Sequence, residues 1–427
     1  MSAAHVESAP ANAGEQRASF FRQSGWLMIA NIAGGIMMLG VHFLSKRLGP
    51  GEYGTFVAML SVVMCIPAIP LQMMMAQQTA KAIATGRERE LAGIIRLVWL
   101  GSLALWVVGA LAVVTQQGVI MQRWGLASPL GLWLMLAACL FSAWFPLFCG
   151  VLQGQQNFLW LGWVLMMNGT GRVALAAFAI FLIAANAAGL LAGVVLGVAL
   201  AFGISVWQTR GLWCRAAAAF DWRDFLRQVV PLLLGFTAFQ FLFTGDTLFV
   251  KSYFSQAQTD AYGAAGTMSR ALMWLVGPLA AVMFPRLVHS AVKSEGSNLM
   301  GTVLLGTLIL SAGGTFSLWL LGPFLTKIIF PASYAMVTAG LLPWYAGAMI
   351  PLSLANVLLN NLIARGSFRV VPVLVILALS YGFALTRFHG STVTVLKVLG
   401  CFNLLMLAAC AWASRRNASP TTSSATA

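Results

Sequence analysis

The chain has 427 residues, 60% of them hydrophobic and only 8% charged, against ~45–50% and about a quarter in soluble domains. A mean hydropathy of +0.86 and repeated apolar runs of ~20 residues predict a polytopic helical membrane protein, which excludes a soluble enzyme, a nucleic-acid binder and a disordered scaffold. The net charge of +15 is assigned to the anionic membrane surface, which collects Lys and Arg in cytoplasmic loops; membrane lipids, not nucleic acid, are the expected partners of that charge.

In chain order, a polar tail (1–24) precedes six predicted spans at about 25–45, 54–78, 93–115, 129–152, 158–183 and 187–208. The first apolar run lacks a small-residue cleavage site, so no cleavable signal peptide is expected. A basic linker, TRGLWCRAAAAFDWRDFLRQ (209–228), follows, with Trp222, Phe225 and Leu226 suggesting an amphipathic turn or two. Six more spans follow at about 229–250, 261–288, 300–322, 339–364, 368–387 and 393–414, then a tail (415–427) of disordered composition. The longest connection on the side opposite the termini is the stretch from Pro323 to Thr338. Pro67, Pro70, Pro278 and Pro285 should kink the second and eighth spans.

With the N-terminus inside, sixteen Lys and Arg fall on the cytoplasmic side and seven opposite; with Arg172 and Arg270 inside spans, these are all 25. The positive-inside rule therefore places both termini in the cytoplasm. The six cysteines form no C-x-x-C pair and, with the four histidines, no metal-ligand spacing, so neither disulfides nor a metal site is expected.

The two halves repeat. Tyr53-Gly54 maps to Tyr262-Gly263 at an offset of 209, and LQGQQNF, ending at Phe158, maps to LIARGSF, ending at Phe368, at 210. Both pairs join equivalent spans, first to second and fourth to fifth. Six is an even number, so the lobes share one orientation, with a cavity between them near the midplane.

Three ionisable residues are predicted within spans: Arg172, Asp246 and Arg270. Each costs ~2.5–3.5 kcal/mol at a helix centre unless partnered or in a watery cavity. The repeat sets Gly382 against Arg172, Met37 against Asp246 and Ser61 against Arg270; the scaffold thus has no need of the charges. Arg172 stands ~21 Å along its helix from Phe158, one turn beyond Asn168, and a guanidinium suits a diphosphate through bidentate hydrogen bonds. For Asp246 and Arg270, a structural ion pair and a coupling role, in which Asp246 takes a proton or sodium ion, are both open. Polar faces recur at Asn31, Gly35, Met38 and His42, and at Ser353, Asn356 and Asn360; sugar contact and helix–helix bonding are both open there. Gly189, Gly193 and Gly197 form a close-packing stripe. There is no P-loop, no H-E-x-x-H and no pair of acids suited to glycosyl transfer, so neither an enzyme nor an ATP-driven pump is expected, and no cofactor is called for.

The run SKRLGPGEYGTF (Ser45 to Phe56), together with TGDTLFVKSYFSQAQTDAYGAAGTMSRAL (Thr244 to Leu272), resembles the polysaccharide or O-antigen flippases of the multidrug/oligosaccharidyl-lipid/polysaccharide exporter superfamily. The family's first-loop pattern appears as Arg47, Leu48-Gly49, Pro50, Glu52 and Tyr53-Gly54. Its late seventh-span Asp is Asp246, while the turn before the eighth span departs from the family form as Ala261-Tyr262-Gly263. The resemblance implies flipping of a polyprenyl-diphosphate-linked oligosaccharide from the cytoplasmic to the periplasmic leaflet of a bacterial inner membrane. A polysaccharide polymerase and chain-length proteins are then partners. Arg172, Asn168, Arg270, Arg47, Asn31, Asn356 and Asn360 become candidate substrate contacts, and Asp246 the candidate ion-coupling residue. A multidrug exporter of the same superfamily and a membrane polysaccharide polymerase or ligase are the rival readings.

Overall fold

The computed structural model describes residues 13–273, 297–364 and 367–416. Among them, eleven helices are long and apolar enough to cross a membrane, and no strand occurs. The first half comprises α1 (Ala13–Gly40), continued by a 3-10 segment (Val41–Arg47), then α2 (Glu52–Met64), α3 (Ala68–Ala84), α4 (Glu88–Thr115), α5 (Gln117–Trp124), α6 (Leu130–Gly154), α7 (Phe158–Leu182) and α8 (Ala187–Trp213). The second comprises α9 (Trp222–Thr244), α10 (Asp246–Tyr253), α11 (256–273), α12 (Ser297–Ile329), α13 (Ala332–Ala364), α14 (Val371–Arg387) and α15 (Thr392–Arg416). The expected eighth span begins in α11; its prolines, Pro278 and Pro285, lie outside the described residues, as do 1–12 and 417–427 of the two polar tails.

Helices α1–α8 pack mainly on one another, as do α9–α15, giving the two lobes; α2 crosses to α10, and α3 to α9. Connections alternate between two ends of the bundle. The end carrying Leu48–Gly51 is here the first-loop end; the end carrying the start of α1 and the close of α15 is the terminal end. Asparagine and aspartate side chains start several helices by accepting orphan N–H groups: Asn157 at α7, Asn186 at α8, and Asp221 at α9.

The expected kink of the second span is present, and two sequence boundaries need correction. The second span breaks into α2 and α3 at Cys65–Pro67, where prolines 67 and 70 supply no N–H. The stretch Pro323–Thr338 is not a loop: α12 runs to Ile329 with Pro323 inside it, and α13 starts at Ala332. Membrane helices tolerate interior proline because neighbours re-satisfy the freed carbonyls. The linker is likewise shorter than 209–228, since α8 continues to Trp213 and α9 begins at Trp222.

The glycine stripe packs as predicted. A Cβ on Gly193 would lie 2.3 Å from the backbone N of Ala176, and one on Gly197 2.5 Å from that of Arg172. Only glycine lets α8 approach α7 this closely. On its other side α7 meets α1, where a Cβ on Gly169 would lie 2.4 Å from the Gly34 carbonyl oxygen. Arg172 therefore stands on a helix fixed on two sides.

Candidate functional site

The second lobe holds a fully internal polar cluster. Helix α9 ends at Thr244, and Asp246, buried, opens α10. A carboxylate is favoured at a helix N-terminus and a cation at a C-terminus, and both are used here. Arg270, from α11 and 5% exposed, donates from Nε to the Phe243 carbonyl in the last turn of α9 (2.8 Å). Its Nη2 reaches Asp246 Oδ1 (2.8 Å), Thr247 Oγ1 (2.8 Å) and the Tyr345 hydroxyl (2.5 Å). Asp246 Oδ2 accepts from Tyr262 (2.7 Å) and also from Tyr345. Each carboxylate oxygen thus has a donor, and the charge pair is embedded in hydrogen bonds drawn from α10, α11 and α13. The ion pair left open by the sequence is formed.

Arg172 is held differently. Its aliphatic stem lies on Gly197, and Nε donates to Asn168 Oδ1 at 3.0 Å, so the two residues paired by spacing do meet. The side chain is half-buried, no ion pair involves it, and neither terminal guanidinium nitrogen has a hydrogen-bond partner among the described residues.

The other sequence candidates do not converge on either place. Asn356 and Asn360 bond each other along α13, the Asn360 amide donating to the Asn356 carbonyl (2.8 Å) and Oδ1 (3.0 Å). Asn31 is exposed and donates to its own helix at Leu27 (3.0 Å). Arg47 lies over the Phe181 ring, 5.4 Å from its centroid, at the first-loop end. His42 is not isolated: its Nδ1 is 2.9 Å from the Tyr53 hydroxyl, which in turn is 3.2 Å from Thr267 Oγ1 of the other lobe.

The first-loop end is closed by bonds between lobes. Asp260, buried at the start of α11, accepts from the backbone N–H of Gly51 (2.7 Å) and of Gly54 (2.6 Å), capping α2 of the opposite lobe. Gly51 has φ +80°, a left-handed turn suited to glycine, and a Cβ on Gly54 would lie 2.6 Å from Thr259. The repeated Tyr-Gly motifs face each other here, with Gly263 against Val57. Glu52 caps α8 through the Ala187 N–H (2.7 Å), and Trp124 Nε1 donates to Ser252 (3.1 Å) across the lobes.

Sequence reasoning missed Asp260 and Tyr345. Asp260 lay outside the expected spans and read as a loop acid. The repeat supplied a signal, since the 209 offset pairs Asp260 with Gly51, the residue it binds. Tyr345 is uncharged in an apolar run and left no comparable mark.

No family model matches the sequence, and no curated protein does. Solved structures do. An inward-facing multidrug resistance MATE family transporter of the MOP superfamily aligns at TM-score 0.69 and 12% identity, over 91% of this chain and 96% of its own. The lipid II flippase MurJ in an inward closed conformation aligns at TM-score 0.68 and 14% identity, over 92% of this chain and 87% of its own. An outward-facing MATE transporter gives TM-score 0.64 at 13% identity, over 94% and 96% of the two chains. The chain shares its fold with these transporters.

Proposed function

We propose that the chain is a flippase that moves polyprenyl-diphosphate-linked oligosaccharide repeat units from the cytoplasmic to the periplasmic leaflet of a bacterial inner membrane. The product serves surface-polysaccharide synthesis (O-antigen, capsule or exopolysaccharide), and the motion is alternating access of the two lobes. The observation that carries this reading is the contrast in charge partners. Asp246 is neutralised by Arg270, whereas Arg172 has only the neutral Asn168. The deep charges therefore sum to one uncompensated cation, which favours an anionic cargo over a cationic one.

In this scheme the charge count puts the terminal end in the cytoplasm, and the closed first-loop end faces the periplasm. Arg172 grips the diphosphate, with Asn168 setting its orientation. Arg47 at the first-loop end receives the phosphate on release, and Asn31, Asn356 and Asn360 offer amides along the path. Asp246 is the coupling carboxylate: a proton or sodium ion replaces Arg270 as its partner, and Arg270 is freed for phosphate. The chain acts beside a polysaccharide polymerase and chain-length proteins.

The test is reconstituted flipping of a fluorescent polyprenyl-diphospho-oligosaccharide in proteoliposomes. Wild type should move it and Arg172→Ala should not. Equal transport by both ends the assignment of Arg172.

Ion-coupled multidrug export is the second reading, favoured by the likeness to MATE transporters. It predicts ion-dependent efflux of cationic dyes, which the flippase reading does not. A polymerase or ligase ranks third, because connections at the first-loop end are short, as in the two residues Phe330 and Pro331 between α12 and α13.

A further inference from the structure

A second cavity lies between the lobes at the terminal end, away from both arginines. It measures about 190 Å³ and draws on both halves: Gln77 and Gln78 from α3, Gln228 from α9, and Asn360 from α13. Met73, Met74, Phe236 and Phe368 supply its apolar walls, and none of the described lining residues is charged. Four carboxamides around one space is an unusual concentration in a chain with 60% hydrophobic residues.

Their bonding leaves capacity free. Gln77 and Gln78 make no hydrogen bond to any described residue. Gln228 donates to Asp224 Oδ2 (3.0 Å), leaving its own carbonyl oxygen open. Asn360 spends its amide nitrogen on Asn356, again leaving its oxygen. A carboxamide both donates and accepts, as does a sugar hydroxyl or an N-acetyl group. Ordered donors and acceptors beside methionine and phenylalanine therefore match a pyranose, with its polar rim and apolar C–H faces. An anionic sugar fits poorly among the described residues: none of those lining the space is a cation, and Gln228 at its edge already donates to Asp224. Lys81 stands one turn beyond Gln77 on α3, towards the terminal end and outside the lining.

We propose that this amide-lined cavity is a subsite for an uncharged sugar residue of the cargo, gripped from both lobes at once. The proposal rests on the flippase reading and deepens it by naming neutral, hydroxyl- or N-acetyl-bearing sugars as the class selected. Because Gln77 and Gln78 belong to one lobe and Gln228 and Asn360 to the other, a sugar bound here draws the two halves together at this end. The subsite thus reads the sugar while the diphosphate is held elsewhere.

The test uses the full chain in lipid nanodiscs and three probes: farnesyl diphosphate, its N-acetylglucosamine conjugate and its glucuronate conjugate. Wild type should bind the N-acetylglucosamine conjugate about tenfold more tightly than farnesyl diphosphate, the gain expected of one or two added hydrogen bonds. The glucuronate conjugate should show no gain. Gln77→Leu with Gln78→Leu should erase the tenfold preference and leave farnesyl diphosphate affinity unchanged. Gln77 and Gln228 are both exposed, so Gln77→Ala with Gln228→Ala gives a second variant whose folding is not at issue, and it should behave alike. A preference that survives in the variants overturns the subsite, as does equal binding of all three probes, while the diphosphate reading stands. Tight binding of the glucuronate conjugate overturns the restriction to neutral sugars. If no probe binds wild type, the subsite and the flippase reading fall together.

Discussion

Arg172 and Arg270 sit deep in opposite lobes, and the fold treats them in opposite ways. Arg270 is enclosed by a carbonyl, a carboxylate and two hydroxyls; Arg172 keeps one bond to a neutral amide and two free nitrogens. A guanidinium whose donors are taken up by its own lobe does the work of a cross-link between helices. One that is braced by a glycine but left short of acceptors is set to receive an anion from outside the fold. Equal charge does not mean equal use.

The largest effect expected from this contrast is on transport. Arg172→Ala should abolish flipping while thermal unfolding in detergent stays near wild type, and Arg172→Lys should recover only part of the rate because it lacks the planar fork. A strong loss of stability in Arg172→Ala would mark this residue as scaffold.

Next comes the enclosed pair. Arg270→Met leaves the buried Asp246 carboxylate without its counter-ion and should cost about 3–5 kcal/mol in unfolding free energy. Arg270→Met with Asp246→Leu should regain most of that. The same double variant, assayed with and without an imposed ion gradient, separates structure from coupling: folding without gradient-driven transport assigns coupling to Asp246, and full gradient-driven transport removes it.

Two smaller changes sharpen the contrast. Gly197→Ala drives a methyl to 2.5 Å from the Arg172 backbone and should destabilise by about 1–3 kcal/mol. Gly203→Ala on the same helix meets nothing within 4 Å and should be neutral by the same calorimetry. Tyr345→Phe removes the hydroxyl shared by Arg270 and Asp246 and should cost ~1–3 kcal/mol; a double-mutant cycle with Asp246→Asn should show strong coupling.

The smallest stability effect is expected at the closed end. Asp260→Ala removes the cap on α2, worth about 0.5–2 kcal/mol. Spin labels at positions 49 and 258 should then report a larger separation, and an unchanged distance distribution would show that other contacts hold this end shut.

How much of this was legible beforehand differs by the kind of force involved. Apolar runs placed the spans, because hydropathy is a per-residue property that survives without coordinates. The Gly189, Gly193 and Gly197 stripe was legible for the same reason, since helical spacing alone puts those residues on one face. The Tyr-Gly repeat gave the duplication, though not that its two copies meet. Asp246 and Arg270 were singled out as costly charges, but which groups surround them depends on α13, far along the chain, and no local pattern carries that. Pro323 misled, because a proline in a span reads as a break in water and is tolerated in a bundle. Of the amides in the inter-lobe cavity, Asn360 was legible on its polar face, while Gln77 and Gln228 went unread because they lie at span ends, where polar side chains are ordinary.

The way the first-loop end is fastened bears on how the cycle turns over. Its polar inter-lobe links are the Asp260 carboxylate on two backbone amides, the Tyr53–Thr267 hydroxyl pair, the Ser45 hydroxyl on the Ile329 carbonyl and the indole of Trp124 on Ser252, and beside them Tyr53 packs on the rings of Phe330 and Tyr334. Every one of these polar groups finds an equivalent partner in water once parted, so separation exchanges bonds more than it breaks them. The rings of Tyr53, Phe330 and Tyr334 are the part of the seam that sets apolar surface against water at each opening. The replaceable donors keep the polar share of that cost small, which narrows the gap that a bound cargo or ion has to tip.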